Sequence, residues 1–509
     1  MSKGAADIGV IRPCADARTI PEALLRRMEA SPETTAYIHH VEGAWRETTW
    51  AETGNAVARL CQALRELSIP AGERVGLMMP NGPDCVDMDF ACMFMGLITV
   101  PLYIRDSAAN IAYLLRDSGA RLCVVDTQER WSLVADLRVH LPDLEQVWVC
   151  NGSPGSLKRL QTQDERVRPV PELPGPAPPL DEFMLQSGGD DIATLVYTSG
   201  TTGPPKGVML SHGALLSNAR SVDHVMPSRP DDLLLSILPL AHSFERSVGW
   251  ILPMLGGATV AYARSVETLA ADLMTLRPTA MLAVPRLFER VQAKAMADAE
   301  GSALRSWLLE RTIRIGWKRW LHTYQEESPP NLFEGVFWTL IGSRVAHRVR
   351  TAFGGRTRVI LSGGAPLSFD TGRFMYAMEM PLIEGYGLTE AGPAVTGSTL
   401  PQRQQGSVGF ALKNVELSLG TNDELLVRSP GLMTGYWRNE TATQETIDEK
   451  GWLHTGDRAR IVEGRVSIIG RIKDILVLST GENVNPEPIE AALVADRLIN
   501  QACVIAVSY

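Results

Sequence analysis

Several absences narrow what this 509-residue chain can be. Its seven cysteines (Cys14, Cys61, Cys85, Cys92, Cys123, Cys150 and Cys503) are scattered, odd in number and without a CxxC pair. That pattern excludes a disulfide framework and a zinc ribbon, and it suits reduced thiols in a cytoplasmic protein. There is no basic excess: 49 Lys and Arg stand against 58 Asp and Glu, a net charge of −9. General nucleic-acid binding is therefore not expected. The N-terminal MSKGAADIGVIRPCADAR lacks the basic-then-apolar order of a signal peptide. The longest apolar stretches, residues 91–104 and 248–263, are short for a bilayer span, and Pro253, Gly256 and Gly257 break the second. Both read as buried core, and peripheral contact at the inner face of a membrane stays open. No GxSxG, no Ser-His-Asp order and no His/Cys cluster supports a hydrolase or a dedicated metal centre.

What is present begins at residues 197–207, YTSGTTGPPKG. Three glycines, five hydroxyls and one lysine follow the β-prone run Ile192-Ala193-Thr194-Leu195-Val196. Glycines let backbone N–H groups converge on an anion, hydroxyls add donors and the lysine adds a mobile charge. The segment is not a Walker loop, because two prolines separate Gly203 from Lys206. Three further motifs follow in order: Tyr386-Gly387-Leu388-Thr389-Glu390, then Gly451-Trp452-Leu453-His454-Thr455-Gly456-Asp457, then Gly470-Arg471-Ile472-Lys473-Asp474. Together they resemble the adenylate-forming acyl-CoA synthetase superfamily, over nearly all of the chain from about residue 20.

The chain is too long for a single core. Strand-like runs at 74–79, 122–125, 147–150, 233–238, 259–262, 280–284 and 359–361 alternate with helical patterns at 21–29, 50–67, 83–95 and 213–225. This alternation predicts an α/β fold of layered, largely parallel sheets and helices. Residues 152–180, rich in Pro, Gly and charge, read as a surface connection. By resemblance, residues 1–472 form a large multi-subdomain N-terminal domain with a helical insertion at 286–353. Lys473 is the hinge, and 473–509 begin a small α+β C-terminal domain. That domain is expected to be incomplete, with the family's catalytic lysine beyond Tyr509; a solvated lysine is the plain alternative at 473.

The resemblance also implies a chemistry. A carboxylate attacks the α-phosphorus of ATP, giving acyl-AMP and pyrophosphate, and a thiol, usually that of coenzyme A, then displaces AMP. Bringing two anions together needs positive or dipolar groups and Mg²⁺. Thr198, Ser199, Gly200, Thr201, Thr202, Gly203 and Lys206 are expected to hold the β- and γ-phosphates. Tyr386, next to Gly387, offers a flat face to adenine, with Gly364-Ala365-Pro366 as the opposing wall. Thr389 matches the hydroxyl on the α-phosphate and Glu390 the carboxylate that holds Mg²⁺. Asp457 matches the residue that accepts both ribose hydroxyls, and Arg471 a second ribose and phosphate contact. His242, in LPLAHSFE, matches a histidine that orients the carboxylate; a structural histidine is the alternative.

Residues 239–246, the run Val284-Pro285-Arg286-Leu287-Phe288-Glu289 and the helical insertion resemble the long-chain fatty acyl-CoA synthetase branch. A medium- or long-chain fatty acid is thus the expected substrate. The alternatives are a ligase loading a carrier-protein thiol and a catalytically weak adenylate-binding protein. Residues 301–358 carry ten Lys and Arg against four acids, about +6 in a protein of −9, and hold four tryptophans. Leu309, Ile313, Trp317, Leu321 and Tyr324 recur near helical spacing, with Arg311, Arg314 and Lys318 offset from them. The expectation is reversible membrane contact through 301–350. A coenzyme A phosphate site, or an ordinary helix with a solvated basic face, fits the same pattern.

Overall fold

The computed structural model describes residues 13–172, 175–185, 187–198, 203–325 and 327–473, with scattered positions beyond. The chain is α/β and divides into two compact units, residues 1–219 with 227–262 and residues 220–226 with 263–509.

In the first unit, six strands pair in parallel in the order Val167–Pro169, Gln146–Asn151, Ala120–Thr127, Arg74–Met78, Ile98–Pro101 and Ile192–Thr198. The middle strands are buried and read as continuous apolar runs, as a sheet covered on both faces requires. Helix Pro83–Phe94 is buried from Cys85 onward, which explains the long apolar stretch found in the sequence. Lys206–Ser211 folds back antiparallel on Ile192–Thr198, with Thr198 opposite Lys206. Two antiparallel strands thus flank the glycine-rich segment. A second layer runs Leu233–Ser236, Thr259–Tyr262 and Thr35–Val41 in parallel, closed by the antiparallel strand Ala44–Thr49. The buried Arg27 donates from Nε to the Met254 carbonyl (2.9 Å) and from Nη2 to that of Leu255 (2.7 Å). It thereby satisfies C-terminal carbonyls of the helix Leu252–Gly256.

In the second unit, Ala280–Ala283, Val359–Ser362 and Leu382–Tyr386 are parallel. Beyond Tyr386 the same sheet turns antiparallel through Thr396–Gly397, Gly409–Ala411, Arg465–Arg471, Leu453–Val462, Glu424–Arg428 and Glu416–Leu419. Ser362 pairs with Glu384, so the loops after both strands leave the same sheet edge. In open α/β sheets this carboxyl edge is where ligands bind.

Five helical segments follow: Pro285–Glu300, Ala303–Tyr324, Leu332–Phe337, a π-helical turn Trp338–Gly342, and Ser343–Thr351. The buried stripe of Ala303–Tyr324 is Leu309, Thr312, Ile315, Gly316 and Trp320. The expected stripe differs: beyond Leu309, its members Ile313, Trp317, Leu321 and Tyr324 are only half-buried. Packing decides the rotation. A Cβ at Gly316 would lie 2.2 Å from the Ala377 carbonyl oxygen, so this glycine lets the helix seat against the end of Phe369–Ala377. Trp320 stacks on Tyr376 there, with centroids 4.6 Å apart.

Candidate active site

The expected site residues fall in both units. In the first, Tyr197 and Thr198 end the strand that leads into the hairpin, and Gly203 and Lys206 return from it. Ser199, Gly200, Thr201 and Thr202 lie outside the described residues. The base of the hairpin is clamped by helix Ala108–Ser118. Tyr113 donates to the Pro205 carbonyl (3.2 Å), and Tyr197 donates to Asp117 (2.7 Å). Gly203 has φ of +133°, and a Cβ there would meet no heavy atom within 4 Å. Glycine is thus required for backbone conformation and not for space.

His242 is half-buried on a tight turn, its N–H donating to the Pro239 carbonyl at 2.9 Å. The Phe244 N–H donates to His242 Nδ1 at 3.1 Å, so Nδ1 is the acceptor and Nε2 carries the hydrogen. Burial holds the imidazole below its ordinary value, which favours the neutral ring. A neutral imidazole with a fixed Nε2–H can donate to a carboxylate oxygen without taking its charge. Two groups absent from the sequence reading hold this turn. Asn81 donates to the Leu238 carbonyl (2.6 Å) and Ser236 Oγ (3.0 Å), and accepts from the Leu240 N–H (2.9 Å). Asp89, buried on helix Pro83–Phe94, pairs with the buried Arg246 at 2.5 Å, just past His242. Asn81 stands in Met79-Pro80-Asn81-Gly82-Pro83, which signals a turn but not its distant partner.

In the second unit, the strand ending at Tyr386 runs into Gly387, Thr389 and Glu390. Tyr386 donates its hydroxyl to Asp457 Oδ2 at 2.6 Å, and Arg471 Nε lies 3.2 Å from Asp457 Oδ1. Asp457 and Arg471 are directly opposed on paired strands. The Asp457 N–H donates to Thr455 Oγ1 at 3.0 Å, after a turn at Gly456 whose φ is +70°. Burial, then the Asp457 charge, raises the Tyr386 phenol well above its usual value, so it stays a donor. Three expected residues thus meet in one array, and Tyr386 contributes a hydroxyl beside the ring face that the sequence suggested. Each carboxylate oxygen has a second lone pair, so Asp457 can still accept hydroxyls.

Glu390 Oε1 accepts from Tyr436 at 2.9 Å, a partner missed in the sequence because it lies on a separate strand, Gly435–Tyr436. Among the described residues there is no cluster of three or more His, Cys, Asp or Glu that could hold a metal ion. A single hard carboxylate fits Mg²⁺ that takes its other ligands from phosphates and water. Gly364-Ala365-Pro366 is exposed after strand Val359–Ser362, with Gly364 at φ of +79°. Gly387 is required by space: a Cβ would lie 1.7 Å from the Pro393 carbonyl oxygen.

The AMP-binding enzyme family model matches residues 24–437, and an AMP-binding enzyme C-terminal domain model matches residues 473–508. The long-chain-fatty-acid–CoA ligase FadD15 of Mycobacterium bovis is 32 % identical over 479 residues, covering 93 % of this chain and 78 % of the relative. The long chain acyl-CoA synthetase 6, peroxisomal, of Arabidopsis thaliana is 30 % identical, covering 92 % and 68 %. The chloroplastic long-chain-fatty-acid–[acyl-carrier-protein] ligase AEE15 of Arabidopsis thaliana is 26 % identical, covering 96 % and 75 %. Among solved structures, the anthranilate CoA ligase AuaEII in complex with anthranoyl-AMP shares the fold, with a TM-score of 0.71 at 22 % identity, covering 95 % of this chain and 83 % of that one. The chain belongs to the AMP-binding enzymes, in their long-chain acyl-CoA synthetase branch.

Proposed function

We propose that this protein activates a medium- or long-chain fatty acid with ATP, through acyl-AMP, and passes the acyl group to coenzyme A, releasing AMP and pyrophosphate. The observation that supports the reading is the Tyr386–Asp457–Arg471 array, which holds the Asp457 carboxylate in place and leaves it lone pairs for further hydroxyls. In this reading Asp457 accepts the ribose hydroxyls, while Tyr386 and Arg471 fix its carboxylate. Thr389 donates to the α-phosphate. The hairpin from Thr198 to Lys206 holds the outer phosphates, with Lys206 as a point charge. His242 donates from Nε2 to the substrate carboxylate and orients an oxygen toward the α-phosphorus. Glu390, held by Tyr436, would bind Mg²⁺; when bound, the metal supplies charge neutralisation at the phosphate oxygens.

Residues 1–472 are then the adenylate-forming domain with 286–353 as its helical insertion. Lys473 is the hinge to the C-terminal domain, supported by the family match that starts at residue 473. A carrier-protein thiol is the second acceptor to consider, because one relative is an acyl-carrier-protein ligase. Reversible contact of residues 301–350 with a membrane, where fatty acids partition, completes the reading. ATP–pyrophosphate exchange with acetate, octanoate, palmitate and benzoate tests the acid: exchange peaks at octanoate or palmitate. Exchange with benzoate alone moves the substrate to aryl acids. Thioester formed with coenzyme A and not with acyl carrier protein decides the acceptor.

A further inference from the structure

The helical run from Leu332 to Thr351 is packed against Ala303–Tyr324 on one side. Trp338 is buried, Trp307 meets Phe337 edge-on with centroids 6.0 Å apart, and Lys318 pairs with Glu334 at 2.9 Å. Its outward positions are 332, 333, 336, 339, 340, 344, 347 and 348, which recur at three and four. Four of them are the large apolar residues Leu332, Phe333, Val336 and Leu340. Leu332 and Phe333 are 80 % and 81 % exposed, and Val336 and Leu340 are more than half exposed. Leu304 and Trp307, on the neighbouring helix, are also at least half exposed. The same face then continues as Arg344, His347 and Arg348, and Arg305 is exposed next to Leu304. Contiguous large apolar side chains open to solvent mark an interaction surface.

The basic face singled out in the sequence is a different one, and the structure spends much of it internally. Lys318 is taken by Glu334, and Arg311 lies over the rings of Trp307 and Phe337, 5.6 Å from each centroid. Of that set Arg314 alone is exposed.

We propose that Leu332, Phe333, Val336 and Leu340, with Arg344 and Arg348 beside them, form the surface on which this protein docks reversibly to an anionic lipid bilayer. The apolar residues enter the headgroup boundary and the arginines meet lipid phosphates. Charge selects this occupant. Residues 301–358 are about +6 within a chain of −9, so an anionic surface attracts this region while the chain as a whole is repelled. A second copy would set the same cationic face against itself in a two-fold contact. Among the described residues no helix is long and apolar enough to cross a membrane. The proposal deepens, and rests on, the membrane contact proposed for 301–350. It is read without ATP or acid, so its failure leaves adenylation standing, and a loss of pyrophosphate exchange leaves docking standing.

The test is co-sedimentation of the full chain with phosphatidylcholine vesicles, with and without phosphatidylglycerol. The chain binds the anionic vesicles and not the neutral ones. L332S/F333S and, separately, R344E/R348E each lower the partition coefficient by roughly tenfold or more. The melting temperature of both variants stays near that of the unsubstituted chain, which shows that they fold. Absence of binding by the unsubstituted chain overturns the proposal, as does equal binding by either variant. So does a concentration-dependent dimer that L332S/F333S converts to monomer, because a second copy is then the occupant.

Discussion

The two glycine-bearing motifs of this protein are built on opposite principles. Around Tyr386-Gly387-Leu388-Thr389-Glu390 the glycine is demanded by crowding, because the Pro393 carbonyl occupies the place of a side chain. The neighbouring polar groups are paired: Tyr386 with Asp457, and Glu390 with Tyr436. In the hairpin from Thr198 to Lys206, Gly203 has open space around it and is demanded only by its positive φ. There the fixed contacts lie at the base, at Tyr113 and Tyr197. The Tyr386–Asp457 array is therefore preorganised, and the hairpin is anchored at its base, with open space at Gly203. Preorganised donors and acceptors lower the cost of binding, whereas a glycine with positive φ and no close neighbours serves the backbone conformation alone.

Substitutions should separate the two. Gly387→Ala forces a methyl into a carbonyl oxygen and should cost about 3 kcal/mol of stability, with exchange activity lost. A melting temperature equal to that of the unsubstituted protein would break the comparison at its stronger end. Asp457→Asn keeps the shape but replaces an accepting oxygen with a donor. It should raise KM for ATP by about 10- to 100-fold with little change in melting temperature, because Arg471 is exposed and the asparagine oxygen can still accept from Tyr386.

The unit that carries the hairpin also has a pH signature. Burial raises Glu245 from 4.5 to about 8 and lowers His212 from 6.5 to about 4. The unfolded chain protonates His212 first as pH falls, so that group costs stability from 6.5 down to 4. The folded chain keeps the Glu245 proton longer as pH rises, so that group costs stability from 4.5 up to 8. The two oppose each other between 4.5 and 6.5, and Glu245 acts alone above. Glu245→Gln should therefore abolish a loss of about 2 kcal/mol between pH 6.5 and 8, read from urea midpoints.

Two smaller effects sharpen the contrast. Tyr386→Phe keeps the ring and removes only the hydroxyl that fixes Asp457, so KM for ATP should rise about fivefold. No change would return Tyr386 to a purely stacking role. Gly203→Ala should slow pyrophosphate exchange roughly tenfold through strain in the loop while leaving the melting temperature near its starting value, since nothing surrounds the new methyl. A large drop in stability there would mean that the hairpin is packed like the Gly387 turn.

Local signals made much of this legible before the structure. The buried strands at Arg74–Met78 and Thr259–Tyr262 are short apolar runs, and the motifs carrying Thr198, Tyr386 and Asp457 are contiguous. What stayed hidden depends on distant partners. The hairpin of Thr35–Val41 and Ala44–Thr49 is half polar and gains its place from pairing with Thr259–Tyr262. The rotation of helix Ala303–Tyr324 follows from Gly316 meeting Ala377. Asn81 and Tyr436 reach their targets only after the chain has folded, and an isolated Asn or Tyr carries no sign of that.

The most direct test of the central claim uses palmitate labelled with heavy oxygen in both carboxylate positions, incubated with the protein, ATP, Mg²⁺ and coenzyme A. Attack of the carboxylate on the α-phosphorus, followed by thiol displacement of AMP, leaves one acid oxygen in AMP, and mass spectrometry should find it there. Heavy oxygen in inorganic phosphate, or none in any nucleotide product, would contradict an acyl-adenylate route.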